Sequence, residues 1–341
     1  GQASRFTYDN KGNILTATNA LNQTTTLTYD QFGQPASVRN PLGHVVVLQH
    51  DEFGNLVRTT DSLGAMTTKT YDMASRITSV TDPKGNTTKY LYNPLNQVTT
   101  IIDAGNNETR FTYDGNGNLL SVIDARNGTT TITYDNMDRV KIKTDTLNRP
   151  ESYDYDLLGN IVRFTDRKGQ ITRVEYDALN RKTKTIYPDG SEKTFTYDSA
   201  GRLVKRSDSQ SGTTIHAYNA LDEMVEEITP QGIVSYQHDA LGRRTQMVAS
   251  GQVPVSYQYD AASRLTQIAK GALVVNLGYD DAGRRISVTY SNGITTSYAY
   301  DASSQLTNIL HQKSGGAVIE NLSYTYDTAG NRTGLVRTNG T

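Results

Sequence analysis

Cysteine and tryptophan are both absent from this 341-residue sequence. Without cysteine, the chain has no disulfide framework, no thiol nucleophile and no cysteine-ligated metal site. The formal net charge is only −1, so there is no electrostatic reason to expect binding to nucleic acid or to an anionic membrane surface. No apolar run approaches the ~18 residues of a membrane helix, so no membrane insertion is expected. A signal peptide is not recognisable, and the start at Gly1 suggests a mature product or a cut fragment.

Tyrosine is abundant, with 22 residues, and it recurs at a fixed interval. An aromatic residue or histidine followed by Asp or Asn occurs every 21 residues from Tyr8 to Tyr218, and then at intervals of 20, 21, 20, 21 and 26. We assign these sixteen positions as structural repeat positions: Tyr8, Tyr29, His50, Tyr71, Tyr92, Tyr113, Tyr134, Tyr155, Tyr176, Tyr197, Tyr218, His238, Tyr259, Tyr279, Tyr300 and Tyr326. Self-similarity of this kind indicates a repeat protein.

Two turns are predicted in each repeat. The third residue after the recurring Asp or Asn is Gly, Asn, Asp or Ser in every copy, as in Gly159 and Asn180. Gly, and less readily Asn and Asp, accept positive φ, so Asp-x-x-Gly predicts a type I turn closed by a left-handed residue. A second turn lies halfway round the period, as in Asp61–Gly64 and Asp82–Gly85.

The segments between the turns have the length and composition of strands. Runs such as Thr129–Tyr134 alternate threonine with apolar or aromatic residues. Two antiparallel strands in each of sixteen repeats predict an all-β chain of about 32 strands. The residue two before each repeat position is apolar or aromatic except at Lys69 and His216, which predicts a continuous apolar stripe on one face. The longest interval, which precedes Tyr326, predicts a longer hairpin loop at 311–316.

We expect a single continuous domain over residues 1–341, with about sixteen 21-residue repeats that are truncated at both ends. Because a cut sheet exposes unpaired strand edges, edge-to-edge self-association is also expected.

Three groups of polar residues resemble chemical sites. His50 and His238 each precede an Asp, but consecutive strand residues point to opposite faces, which disfavours a catalytic pair. Asp114–Asn118 begins like a calcium-binding loop, yet its sixth position is Leu119 where glycine is required. Asp154 and Asp156 share a strand face, as paired acid–base carboxylates do, but both belong to the repeat. No catalytic residue, metal or cofactor is therefore expected.

The repeat resembles that of the RHS family, also called YD-repeat proteins. The resemblance rests on Tyr197-Asp-Ser-Ala-Gly-Arg-Leu203, Tyr71-Asp-Met-Ala-Ser-Arg-Ile77 and Asp82-Pro-Lys-Gly-Asn86, and it covers nearly the whole chain. It implies a spiral of antiparallel β-hairpins that forms part of a hollow shell wall. In bacteria, such shells enclose the C-terminal toxin of polymorphic-toxin, type VI secretion and insecticidal Tc systems, and similar repeats occur in animal teneurins. The family's Asp-Pro-x-Gly self-cleavage motif is not implied here, because Asp82–Gly85 is a turn within a repeat.

The resemblance implies a non-enzymatic structural module that encapsulates a C-terminal toxin and helps to deliver it during bacterial competition. The expected partner is the toxin domain of the same parent protein, and the expected location is secreted or at the surface of a bacterium. The alternative is a cell-surface adhesion or carbohydrate-binding module, because a row of tyrosine rings suits the apolar faces of sugars.

Overall fold

Residues 4–339 are described by the structure, a computed structural model, and they form β-strands and turns without any helix. The predicted all-β fold and the predicted number of strands are confirmed. The 32 strands, which belong to one sheet, follow in chain order. They are β1 (Arg5–Tyr8), β2 (Ile14–Thr18), β3 (Thr24–Tyr29), β4 (Pro35–Arg39), β5 (Val45–His50), β6 (Leu56–Thr60), β7 (Met66–Tyr71), β8 (Ile77–Thr81), β9 (Thr87–Tyr92), β10 (Val98–Ile102), β11 (Glu108–Tyr113), β12 (Leu119–Ile123), β13 (Thr129–Tyr134), β14 (Val140–Thr144), β15 (Pro150–Tyr155), β16 (Ile161–Thr165), β17 (Ile171–Tyr176), β18 (Lys182–Ile186), β19 (Glu192–Tyr197), β20 (Leu203–Asp208), β21 (Gly212–Tyr218), β22 (Met224–Thr229), β23 (Gly232–His238), β24 (Arg244–Ala249), β25 (Val255–Tyr259), β26 (Leu265–Lys270), β27 (Leu273–Tyr279), β28 (Arg285–Tyr290), β29 (Thr295–Tyr300), β30 (Leu306–Gln312), β31 (Val318–Tyr326) and β32 (Arg332–Asn339).

The chain divides into two compact units. Unit 1 comprises Gly1–Tyr90, Ile102–Asn106 and Gln237–Thr341, and unit 2 comprises Leu91–Ile101 and Asn107–Tyr236. In unit 1, strands β1 to β9 pair consecutively and antiparallel, and so do β24 to β32. In unit 2, β11 to β23 pair in the same way. That the repeats form a single continuous domain stays a prediction.

Each repeat position is the last residue of an odd-numbered strand, and fourteen of the sixteen lie beside a β-bulge in the registers of the described strand pairs. In β13, for example, Thr133 is opposite Ile142 whereas Tyr134 is opposite Val140, so Lys141 has no opposite residue. A bulge of this kind increases the local twist of the sheet. The turn that follows each repeat position, here called the YD turn, therefore joins two strands at a fixed register.

The YD turns have the predicted geometry. All sixteen residues at the third position after the Asp or Asn have positive φ, whether they are Gly, Asn, Asp or Ser. In the turn at Asp177, the Asn180 amide donates to the Asp177 carbonyl at 3.0 Å, and the Asp177 amide donates to the Arg181 carbonyl at 2.9 Å. The Asp177 carboxylate accepts two further backbone amides, from Leu179 and Arg181. Local hydrogen bonding by the aspartate thus reinforces each turn.

The mid-repeat turns account for the shortened intervals. Most copies have a five-residue connection with a left-handed fourth residue, such as Gly85 or Asn127. Between β22 and β23 the connection is only Pro230 and Gln231, and the adjoining strands have 6 and 7 residues instead of the usual 5 and 6. Compared with an ordinary repeat, the turn is three residues shorter and the two strands together are two residues longer. The side chains of both strands therefore keep the same faces of the sheet. This arrangement explains how the interval can be one residue shorter without inversion of the sheet.

The longer loop predicted at 311–316 was wrong. The connection between β30 and β31 is an ordinary turn, in which the Gly316 amide donates to the Lys313 carbonyl at 3.0 Å. His311 and Gln312 belong to β30 instead, and β31 extends to 9 residues. The extra residues therefore lengthen the hairpin strands, because additional strand pairs satisfy backbone groups that a longer loop would leave to solvent.

The predicted stripe is half-buried in every repeat except the first, where Phe6 is exposed. In contrast to a globular core, Val288 is the only apolar residue that is fully buried in residues 4–339. The accessible surface is 20415 Å², whereas about 13,700 Å² is expected for a compact chain of this mass. Stability must therefore come mainly from strand pairing and from contacts between neighbouring repeats.

Substitution of Gly159 by valine should destabilise the chain by about 1–3 kcal/mol, because a β-branched residue is strained at positive φ. Gly159 has φ 87°, and no neighbouring atom lies within 4 Å of the position that a Cβ would take, so backbone strain is the only cost. Gly159→Asn is the matched control, since Asn180 adopts φ 60° at the same place in the next repeat. Urea unfolding monitored by circular dichroism measures both variants.

The same substitution at Gly12, which has φ 88° and equally open surroundings, should lower the unfolding midpoint less. End repeats have fewer neighbours, and their local opening already requires little free energy. Equal losses at Gly12 and Gly159 would contradict a nearest-neighbour repeat array.

Candidate functional site

The repeat tyrosines connect each repeat to the one before it. Each hydroxyl donates a hydrogen bond of 2.8–3.1 Å to the backbone carbonyl of the first residue after the preceding YD turn. The twelve pairs are Tyr29–Ile14, Tyr71–Leu56, Tyr113–Val98, Tyr134–Leu119, Tyr155–Val140, Tyr176–Ile161, Tyr197–Lys182, Tyr218–Leu203, Tyr259–Arg244, Tyr279–Leu265, Tyr300–Arg285 and Tyr326–Leu306. The other four positions, Tyr8, His50, Tyr92 and His238, end their strands at the equivalent place.

The hydroxyls of Tyr134, Tyr155 and Tyr176 remain protonated donors at neutral pH. Burial raises the pKa of Tyr155 above its ordinary value, and the nearby Asp135 carboxylate raises it further. Burial likewise raises the pKa of Tyr134 and of Tyr176. A phenol that stays neutral at physiological pH can donate one hydrogen bond continuously, which suits a structural role.

Arginine forms a second connection between repeats, which we call the arginine clasp. In seven repeats the residue four after the YD-turn aspartate is Arg, and its guanidinium binds that aspartate with Nε–Oδ2 distances of 2.7–2.8 Å. In six of these repeats, which define the clasp, the same guanidinium lies 4.5–5.0 Å from the ring centroid of the next repeat tyrosine. The pairs are Arg139–Tyr155, Arg181–Tyr197, Arg202–Tyr218, Arg243–Tyr259, Arg264–Tyr279 and Arg284–Tyr300.

Each clasp also has a hydrogen bond to the next turn. Nη1 of Arg139, for example, donates to the Asp156 carbonyl at 3.1 Å, and the other five arginines donate to the equivalent carbonyl within 3.5 Å. In five other repeats this position is Asn, and the amides of Asn118 and Asn160, for example, still bind the Asp of their own turn. The shorter side chain preserves the turn without the cation–π contact.

The clasp aspartates Asp135, Asp177 and Asp198 have a pKa below the ordinary value because their charged form is hydrogen-bonded. The Arg181 side chain lowers the pKa of Asp177, and the Arg139 side chain lowers that of Asp135. At the mid-repeat turn, the Arg149 guanidinium lowers the pKa of Asp145 to about 2. These carboxylates are therefore ionised throughout the physiological pH range and serve as acceptors rather than as proton donors.

The carboxylates singled out in the sequence contact nearby arginine or backbone groups. The Asp154 carboxylate lies 3.5 Å from Arg163, whereas Asp156 accepts hydrogen bonds from Leu158 and Asn160 inside its own turn. The Asp114 carboxylate is likewise bound to the amides of Asn116 and Asn118. Within residues 4–339, no group of three or more His, Asp and Glu side chains has the arrangement of a metal site.

Within unit 1, two kinds of turn meet edge to edge. The mid-repeat turn at Asp82 contacts the YD turn at Asp301: Lys84 Nζ lies 3.0 Å from Asp301 Oδ2, and Ser303 Oγ donates to Asp82 Oδ2 at 2.8 Å. One repeat earlier, Ser62 Oγ donates to the Asp281 carbonyl at 2.5 Å. We call this arrangement the turn-edge contact. It joins residues about 220 positions apart in the chain, a relation that no local sequence pattern indicates.

Family models match most of the sequence. The RHS Repeat model matches residues 8–45, 50–87, 92–127, 113–149 and 155–192, which together are about half of the chain, and the Teneurin YD-shell model matches residues 211–340. The chain belongs to the RHS/YD-repeat family. The chain is thus a structural repeat module of the shell-forming type, and its repeat tyrosines connect the sixteen copies.

Solved structures of Tc toxin proteins have a similar fold. In the TcdB2–TccC3 complex without the hypervariable C-terminal region, the match covers 98% of this chain and 22% of the solved chain, at 15% identity and a TM-score of 0.68. In the Tc holotoxin pore of Photorhabdus luminescens with mutated TccC3, it covers 98% and 22%, at 16% identity and a TM-score of 0.68. The chain thus spans about a fifth of these proteins. No curated protein sequence matches it significantly.

The described part of this RHS/YD-repeat chain offers no helix that could cross a lipid bilayer.

Sequence reasoning found the tyrosines of the repeat but not the clasp arginines. Their recurrence four residues after the aspartate was a visible signal, as in Arg202 and Arg243. Each clasp arginine contacts the repeat tyrosine that ends the following odd-numbered strand, as in Arg264–Tyr279 and Arg284–Tyr300. Strand periodicity alone does not predict this pairing.

Acid should destabilise the repeats in a defined pH range. The folded-state pKa of turn aspartates such as Asp145 and Asp177 is below the ordinary value of 3.8. Their contribution to the free energy of unfolding is therefore complete above about pH 5 and is lost as pH falls toward 2. The urea midpoint should be constant from pH 7 to pH 5 and should fall between pH 4 and pH 2. A midpoint that stays constant down to pH 2 would contradict this role of the aspartates.

Proposed function

We propose that these repeats form a stretch of shell wall that encapsulates a C-terminal toxin domain of the same parent protein and helps to deliver it. The observation that carries the proposal is the use of the recurring groups: tyrosine hydroxyls, clasp arginines and turn aspartates all bind neighbouring repeats or their own turns. Groups that recur along the repeats and are engaged in this way support a mechanical role rather than a catalytic one. The Tc toxin structures of similar fold support the same class of function.

The mechanism of such a wall is steric. Adjacent strands in a hydrogen-bonded sheet are about 4.8 Å apart, so a continuous sheet leaves no passage for a protease or for a folded cargo. In this proposal, the repeats act as one continuous domain, and the parent is secreted or displayed by a bacterium, with type VI secretion and bacterial competition as its setting. No enzymatic activity is assigned to the repeats.

Protease protection in the full-length parent protein tests encapsulation. A C-terminal domain held inside the wall should resist a protease that digests the same domain when it is expressed alone. Acidification to pH 2, the end of the range in which the aspartates lose their charge, should remove that protection when an acid-active protease is used. Equal digestion of the free and the attached domain at neutral pH would contradict encapsulation.

Carbohydrate binding is a second candidate function, favoured by two exposed rings on YD turns. Phe32 and Phe53 are 71% and 78% exposed, so most of each side chain is accessible to a sugar. A glycan array should then register binding that a Phe32→Ser and Phe53→Ser double variant loses. The repeat tyrosines are weaker candidates, because their hydroxyls are engaged in the bonds between repeats.

Edge-to-edge self-association also remains a proposal. An unpaired strand edge carries free N–H and C=O groups that can pair with another chain. Light scattering over a roughly hundredfold concentration range should therefore record an increasing mass, whereas a constant monomer mass would contradict it.

A further inference from the structure

A row of exposed apolar side chains occupies the YD turns of unit 2. We call this row the apolar rim, and it consists of Met137, Leu157, Leu158, Leu179 and Leu221, whose exposed fractions range from 61% to 97%. These residues are the uncharged tips of four YD turns, and the polar side chains of each turn lie behind them. Exposed apolar surface of several hundred Å² is the usual mark of an interaction surface.

Three equivalent turn tips in unit 1 are small and covered. The residues two after the turn aspartate are Ala262, Ala282 and Ser303, all half-buried. They belong to the YD turns that lie near or against mid-repeat turns in the turn-edge contact. The tips of these three turns are therefore small and covered, whereas the tips of the four rim turns are large, apolar and exposed.

We propose that the apolar rim binds the mid-repeat turn edge of a second copy of this repeat array. The two edges have the same spacing. Successive YD turns are separated by two strands, so the anchor points of the rim are about 10 Å apart. Mid-repeat turns recur at the same spacing, and the turn-edge contact inside unit 1 already pairs the two kinds of turn in consecutive repeats.

A contact of this geometry also has space for larger side chains. The turn-edge contact leaves a cavity of about 320 Å³, lined by Ser62 and by the tip residues Ala262 and Ala282 among others. A leucine or methionine in place of a small tip residue would project into such a cavity. The rim leucines of unit 2 therefore suit this arrangement, and they would bury more apolar surface than the contact within unit 1.

The charges on the two edges are complementary. In unit 1, Lys84 at the third position of a mid-repeat turn binds the YD-turn Asp301. Lys168 occupies that third position in the mid-repeat turn at Asp166 of unit 2. In a second copy, it would face a YD-turn aspartate such as Asp156, whose turn, like that at Asp301, has an uncharged side chain in place of the clasp arginine. An exposed ion pair of this type selects the register more than it adds affinity.

The contact joins two different surfaces, so it is heterologous, and each bound copy still presents a free edge of each kind. Such contacts give open-ended, concentration-dependent assembly rather than a closed dimer. The inference depends on the repeat edges alone and not on an enclosed toxin.

Sedimentation velocity from about 1 to 100 µM tests the rim. The unmodified chain should sediment faster as the concentration rises, and a Leu158→Glu and Leu179→Glu double variant should remain at its low-concentration value. Thr133→Glu and Thr196→Glu, placed on exposed strand positions of the same unit, form the control and should associate like the unmodified chain. The double variant keeps the strand edges of β1 and β32. If it still associates, binding through the apolar rim is overturned, and pairing of strand edges would account for the association.

The absence of native cysteine allows a direct test of the geometry. A Leu158→Cys chain is mixed under mild oxidation with a size-tagged chain that carries Leu147→Cys, at the third position of a mid-repeat turn. The expected product is a mixed disulfide, formed at least tenfold more than with a tagged Thr133→Cys control. Equal yields with Leu147→Cys and with the control would overturn the proposal.

Discussion

Arg243→Ala should lower the free energy of unfolding by about 2 kcal/mol, because it leaves a half-buried carboxylate without its cation. Arg243 and Asp239 are among the least exposed clasp pairs, with side-chain exposures of 16% and 15% and an Nη2–Oδ2 distance of 2.7 Å. The substitution also removes the guanidinium that lies 4.6 Å from the Tyr259 ring centroid. Urea denaturation at pH 7 measures the loss.

Arg243→Asn separates the two roles of the clasp. Asparagine at this position still binds the turn aspartate elsewhere in the chain, as Asn160 binds Asp156 at 2.9 Å. Only the contacts to the next repeat are lost, and a cation–π contact of this kind contributes about 0.5–1 kcal/mol. The Asn variant should therefore be clearly more stable than the Ala variant. If both lose the same free energy, the bond within the turn adds nothing and this account of the clasp is wrong.

Tyr155→Ala should produce the largest effect of a single substitution, a loss of about 3 kcal/mol. The Tyr155 ring covers the Arg139 guanidinium at 4.5 Å, and its hydroxyl donates to the Val140 carbonyl at 2.8 Å. Hydrogen exchange should become faster in β13 to β16, the strands on either side of this contact, and should change little in distant repeats.

Tyr155→Phe is the matched control for that experiment. It keeps the ring against Arg139 and removes only the hydroxyl, so the expected loss is about 1 kcal/mol. Exchange that accelerates uniformly through β11 to β22 in the Ala variant would mean that the repeats unfold as one cooperative block. That outcome would contradict contacts limited to neighbouring repeats.

Local features of the fold were accessible to sequence reasoning because a single residue determines each of them. The αL position of the YD turn is an example: Asp138 and Asn180 were expected to have positive φ, and they have φ 57° and 60°. Strand boundaries followed for the same reason, since β13 ends at Tyr134 as the threonine alternation indicated. A period repeated sixteen times averages out the ambiguity of any single segment.

Features that depend on geometry between repeats were not accessible. The contact of Arg139 with Tyr155 depends on the bulge beside Tyr134, which sets how the two turns face each other. The turn-edge contact of Lys84 with Asp301 depends on the accumulated twist of many strands. The extra residues near His311 were misassigned because length alone does not distinguish a longer loop from a longer hairpin.

The Tyr155–Val140 bond reaches only one repeat, and Tyr134 and Tyr176 make the equivalent bond in the repeats on either side. A segment of one whole repeat could therefore be duplicated or deleted between two equivalent tyrosines, and every junction would still meet a compatible neighbour. The gene for such a protein can therefore gain or lose whole repeats, and each intermediate length still encodes a protein that folds. Insertions of other sizes would have to enter as matched additions to both strands of a hairpin, as they have in β30 and β31.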